Sequence, residues 1–322
     1  MLTYVIRRLL ISIPMLFGIT FITFMALALS PGNMLAEMRM NPAISPSVVE
    51  GYAKQFHLDR PVYVQYGYWL WNLAHGDMGR SFKLQRPVTE VVREHAGPTI
   101  LLVLSAMLFT WLLAIPLGVY CAVHQHEIRD RVLSMLAFLG MAVPSFFLAL
   151  LLLYLFSVTG WLPPGGFKTD YRWEDFTAFQ KALDIGKHLI LPTIVLGTGG
   201  LAGLQRITRG NMLEALRQQY VLTARAKGLP EGRVIYHHAL RTAINPLVTL
   251  FGFELSGLLS GAALTEIILS WPGLGNLLLD AVRSKDIYLV MGSVLISGVL
   301  LIIGNLVADV LLAVVDPRIG HR

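Results

Sequence analysis

Twenty-one consecutive residues, Leu9–Leu29, carry no charge, and a run of that length constrains the whole chain. At ~1.5 Å per helical residue it reaches roughly 31 Å, enough for a bilayer core. Five further apolar stretches follow, at about 98–123, 132–158, 188–204, 246–268 and 289–315. Backbone groups in hydrocarbon must be satisfied within their own segment, so these runs predict helices. With 55% hydrophobic and 14% charged residues, the chain lacks the charged surface of a soluble domain. The reading is an all-α polytopic membrane protein with six transmembrane helices. Cys121 is alone, which rules out an intramolecular disulfide.

The start of the chain has a competing reading. Ala26-Leu27-Ala28 resembles a signal-peptidase site, and Arg7-Arg8 a twin-arginine signal. The apolar run is longer than a usual signal core, and more spans follow, which favours an uncleaved anchor.

Polar segments separate the spans. Residues 30–97 form a long one, read as a small helical lid on one membrane face. Ser45-Pro46 opens a short helix to Phe56. After the Leu58–Pro61 turn, Val62, Tyr66, Trp69, Leu70 and Leu73 recur at helical spacing with interfacial aromatics. Val88, Val91 and Val92 share a face, which predicts a separate helix over 87–95 lying on the membrane. A second polar loop covers 159–187 and a third 269–288. Loop cations decide the orientation. The tail, the 124–131 loop, the 206–245 segment and the C-terminal 316–322 carry 13 Lys/Arg in roughly 60 residues. The other face spreads 13 over about 115 residues, so both termini are expected in the cytoplasm. The expected divisions are 1–29, 30–97, a core of 98–315 containing the 206–245 loop, and the tail.

Several chemistries lack their residues. No G-x-x-x-x-G-K-[ST] occurs, so the chain itself is not expected to bind ATP, and no cofactor is expected. His126-Glu127 lacks the second His of a zinc-protease helix, and no metal site is expected. The nine histidines lie in loops or at span edges, which leaves no buried catalytic pair. No basic patch with interleaved aromatics points to nucleic acid.

Charges and prolines inside the spans are costly in lipid. Glu254 stands roughly 12 Å into the fifth span, either lining a pathway or pairing with another subunit. Asp309 is expected to pair with Arg206 or Arg209. Pro144-Ser145 interrupts the third span, as a packing kink or as part of a pathway. Gly199/Gly203 and Gly257/Gly261 stand in G-x-x-x-G spacing, which permits close helix approach.

Between the fourth and fifth spans, Arg206–Asn245 holds seven Lys/Arg against two acids. Leu213, Leu216, Tyr220 and Ala224 form one stripe, which predicts a helix continuing the fourth span. Lys227, Gly228 and Pro230 form a strong stop. A second helix is predicted from Glu231 to about Arg241, with Tyr236-His237-His238 on its polar face. The result is helix, glycine elbow, helix. The small residues Ala224, Ala226 and Gly228 would let another protein approach closely.

TARAKGL (223–229) followed by HALRTAINP (238–246) resembles the "EAA" loop of ABC importer permeases, in the dipeptide, oligopeptide and nickel version. RRLL at 7–10, SPGN at 30–33, HLDRP at 57–61, HGDMGRS at 75–81, LPTIVLG at 191–197, SWPGLG at 270–275 and VDPRI at 315–319 resemble the same family. The long first outer loop is similar to the first permease of such operons. The resemblance implies a type I ABC importer permease in a bacterial cytoplasmic (inner) membrane, importing peptides, with nickel or glutathione-type cargo as the alternative. It also implies a second homologous permease, two P-loop ATPases that bind ATP and Mg, and an extracytoplasmic substrate-binding protein. Thr223, Ala224, Arg225, Ala226, Lys227, Gly228 and Leu229 would contact the ATPase. Positions 222–224 read Leu-Thr-Ala where the general motif has an acid, so the elbow carries over without that acid's salt bridge. A stand-alone secondary transporter is the reading outside this class; it needs clustered buried acids, and the spans offer few.

Overall fold

The computed structural model describes residues 2–30, 39, 45–55, 60–169, 171 and 173–315. The expected SPGN, HLDRP and VDPRI motifs lie partly, and the 316–322 tail wholly, outside them. The described chain is helical: α1 (Leu2–Ala28), α2 (Pro46–Gln55), α3 (Val62–Ala74), α4 (Val88–Val123), α5 (Ile128–Ala142), α6 (Ser145–Thr159), α7 (Ala178–Leu216) and α8 (Gln219–Ala226). Then come α9 (Glu231–Arg233), a π-helical turn (Val234–Ala239), α10 (Leu240–Ala243), α11 (Asn245–Ile268), α12 (Leu274–Arg283) and α13 (Ile287–Val315). Segments of α1, α4, α7 and α13 are each long and apolar enough to cross a membrane. α5 and α6 together make a fifth such segment, bent by 97° at Val143-Pro144. α11 adds 24 residues, roughly 36 Å of helix. Four helices, or five with the bent pair, meet the length and composition of a span, and α11, with its shorter apolar stretch Gly257–Ile268, is consistent with the expected sixth.

The described chain divides into two compact units, one within residues 2–98 with 272–302, the other within 99–271 with 303–315. In the first, Tyr66 of α3 meets α1: its hydroxyl lies 3.0 Å from Thr20 Oγ1, and Phe17, Phe21 and Phe24 surround its ring. Trp69 is buried one turn on.

The separate membrane-lying helix expected over 87–95 does not exist. α4 runs unbroken from Val88 through Gly97-Pro98. A proline inside a helix costs about 3 kcal/mol. Val88, Val91 and Val92 are buried against Leu274, Leu277 and Leu289, and each contributes about 1.5–3 kcal/mol. Three such side chains outweigh the proline, so the helix continues.

Asp286, fully buried, fastens the outer segments of this unit. It accepts from Ser81 Oγ (2.6 Å), the Lys83 backbone N–H (3.1 Å) and the Leu289 N–H in the first turn of α13 (3.2 Å). That ties the HGDMGRS stretch to the loop after SWPGLG.

The second unit packs α7 against α5, α6 and α11. Close approach occurs here, though not at the expected glycines. A Cβ on Gly197 would meet Phe109 at 2.6 Å, and one on Gly118 would meet Thr208 at 2.6 Å. Cβ atoms at Gly199, Gly203 or Gly257 would meet nothing within 4 Å, and one at Gly261 would make ordinary contact with Leu196 of α7 at 3.7 Å. An outer loop and α4 hold the end of α11: the Gly166 N–H donates to Leu269 O (2.8 Å), and Glu266 accepts from Thr99 Oγ1 of α4 (2.7 Å).

Candidate coupling element and pathway residues

α8 ends in a backbone motif set by one residue type. Gly228 has φ +74°, the left-handed region that costs other residues about 1–2 kcal/mol. Its N–H donates to Arg225 O (2.9 Å), and the Leu229 N–H reaches Ala224 O (3.4 Å). These are the two bonds of a Schellman stop. Pro230 follows, and Arg225 spans the elbow to Glu231 at 2.6 Å. The adjacent guanidinium holds the Glu231 carboxyl below its ordinary value.

The expected continuous stripe from Leu213 to Ala224 is broken. α7 stops at Leu216, and Gln218 is extended (ψ 149°) before α8 begins. The break turns Val221 and Ala224 inward onto Met212, Ala215, Val234 and Ala239, a small core that also takes in Val119 and Ala122 of α4. Ala224 is therefore buried and offers no surface to another protein, contrary to the expectation. Thr223, Arg225, Ala226, Lys227 and Gly228 are exposed and Leu229 is half-buried. The second helix of the elbow also differs from the single segment expected. Its middle is π-helical, which places Val234, Ala239 and Ala243 at five- and four-residue steps on one buried side. Tyr236 and His237 face outward, as expected.

The intramembrane charges are arranged differently from the sequence reading. Arg209 does not take Asp309: it holds Asp130 of α5 through two bonds, Nε–Oδ1 at 2.9 Å and Nη2–Oδ2 at 2.7 Å. Asp130 is buried and also accepts from the His126 N–H (3.2 Å). Arg206 is exposed beside this pair. Sequence reasoning missed Asp130 because it sits in a short charged loop that reads as solvated. Its one local signal is its place in the first turn of a helix.

Glu254 has a partner within this chain, Trp111, whose Nε1 donates to its Oε2 at 2.8 Å. Its other oxygen lies over Gly200, where a Cβ would come within 2.5 Å. A glycine there makes room for the carboxylate. Trp111 carried no sequence signal, since an indole in an apolar run reads as packing. Pro144 and Ser145 form the exposed corner of the 97° bend.

Residues 114–321 match the family described as binding-protein-dependent transport system inner membrane component. Residues 1–89 match the N-terminal region of such membrane components. The chain is 40% identical to the oligopeptide transport system permease protein AppB of Bacillus subtilis, over 323 residues and all of both chains. It is likewise 40% identical to the dipeptide transport system permease protein DppB of Escherichia coli K12, over 338 residues and all of both chains. The di/tripeptide permease DppB of Pseudomonas aeruginosa is 39% identical, again over all of both.

Proposed function

We propose, from the premise that this chain belongs to the family of inner membrane components of binding-protein-dependent transport systems, that it forms half of a translocation path for di- or oligopeptides. It is a multi-pass permease subunit, and its second half is a homologous permease. The 98–315 core carries the path, and 30–97 forms the extracytoplasmic lid, facing a binding protein that delivers cargo. Both termini and the 206–245 loop lie in the cytoplasm, on the side of the cationic loops.

The observation that carries the coupling role is the elbow at Gly228. Its exposed face, Thr223, Arg225, Ala226 and Lys227, projects from a loop whose core is shared with α7 and α4, so a force on the face reaches the ends of both helices. Each of two partner ATPases receives one such elbow. ATP binding and hydrolysis in the partners then bias a two-state permease. The peptide assignment rests on the names of the relatives. Glu254, Pro144 and Ser145 are the pathway candidates, with Glu254 presenting a carboxylate to a cationic peptide terminus.

The test is Gly228→Asp in the assembled transporter. The variant is expected to reach the membrane in normal amount, lose the co-purifying ATPases and abolish peptide uptake. Normal uptake with retained ATPases would refute the docking role.

A further inference from the structure

Beside the Arg209–Asp130 pair lies a cavity of about 360 Å³ between α5 and α7. Its polar end carries Arg131, Arg206 and Arg209 against the single acid Asp130, so the wall is net cationic. Arg209 is spent on Asp130. Arg131 and Arg206 are exposed, and among the described residues neither guanidinium has a hydrogen-bond or ion-pair partner. Two free guanidiniums over one cavity call for an anion.

The surroundings choose which anion. Along α5, Arg131, Ser134, Phe138 and Met141 follow one face at helical spacing, cationic at one end and apolar at the other. Along α7, Arg206, Gly203 and Gly199 likewise share a face. The two glycines are the ones whose Cβ positions meet nothing within 4 Å. Gly203 and Gly199 thus leave open space along α7 beyond Arg206, a smooth groove on that helix face, and Phe138 and Met141 are exposed on α5. A free phosphate or nucleotide has no use for that groove. We propose that the cavity seats the phosphate headgroup of an anionic membrane phospholipid, held by Arg131 and Arg206, with an acyl chain lying in the Gly199–Gly203 groove.

The test uses the full-length protein in its native assembly, purified in detergent and stripped of lipid. Phosphatidylglycerol or phosphatidylcholine is titrated in, and retained lipid is counted by native mass spectrometry. Phosphatidylglycerol is expected to bind preferentially. Arg131→Gln/Arg206→Gln should weaken it roughly thirtyfold while leaving phosphatidylcholine unchanged. The double variant keeps the Arg209–Asp130 pair, and Arg217→Gln on the same loop should bind as the parent does. Gly203→Leu fills the groove without touching a cation and should also weaken phosphatidylglycerol. Undiminished binding by the double variant would overturn the proposal. Displacement of the lipid by millimolar inorganic phosphate would do so too, making this a free-anion site. Loss of a co-purifying subunit from the double variant would reassign the face to protein contact. Lipid retention is read without transport, so its failure leaves the permease reading standing.

Discussion

Arg209 grips both carboxylate oxygens of Asp130, 79 residues earlier in the chain, and so locks α5 to α7 at the end of the apolar layer. Asp130 is almost fully buried, while the Arg209 side chain is 28% exposed. Removing one partner of a buried pair costs about 3–5 kcal/mol, and the exposure of Arg209 reduces that to about 2. Asp130→Asn is therefore expected to lower the thermal midpoint of the solubilised protein. Arg209→Gln combined with it should recover part of the loss. A double variant as unstable as the sum of the two single variants would show that the pair is not coupled.

Trp111 and Glu254 make a second link, between α4 and α11. A hydrogen bond to a charged group contributes about 1.5–3 kcal/mol. Trp111→Phe should cost an amount in that range, whereas Glu254→Gln should keep an accepting oxygen and most of the stability. If Glu254 also meets cargo, Glu254→Gln separates the roles: normal stability with reduced uptake of peptides bearing a free amino terminus. Uptake at the parental level would assign Glu254 to packing alone.

Asp286 holds Ser81, Lys83 and the start of α13 at once. Its loss leaves several buried donors unsatisfied at about 1–3 kcal/mol each. Asp286→Ala is expected to open the stretch around residue 81 to limited proteolysis while the core of 99–271 stays protected. Asp286→Asn keeps one acceptor oxygen and should fall between the two. Unchanged cleavage in Asp286→Ala would show that the stretch is held by other contacts.

At Gly228 the left-handed φ gives a graded series. Nothing lies within 4 Å of a Cβ there, so any effect of Gly228→Ala comes from backbone strain alone, about 1 kcal/mol. Asparagine tolerates this region better than alanine. Coupled ATPase activity should therefore rank glycine, then asparagine, then alanine. Equal activity across the series would mean that the elbow's conformation does not matter for coupling.

The glycine elbow was legible in the sequence because its causes are local. A helix stop needs a residue free to adopt positive φ and a proline soon after, and both can be read within four positions. The outward placement of Tyr236 was legible for the same reason. The π-helical turn before Ala239 was not, because it forms to aim Val234 at Met212 on a different helix. Likewise, Gly199 and Gly203 advertise a smooth face without saying what lies against it. Gly118, Gly197 and Gly200, three of the glycines that neighbours do press on, stand outside the G-x-x-x-G spacing.

By itself the sequence determined the membrane class, the run of helical spans and the elbow. Those follow from hydrocarbon's demand for internally bonded backbone and from the φ freedom of a single residue. Only the tertiary structure decided that Arg209 belongs to Asp130, that Glu254 belongs to Trp111, that α4 runs through Pro98 and that Ala224 faces inward. Each depends on the distance between side chains far apart along the chain, and in lipid that distance decides whether a charge or a void is tolerable.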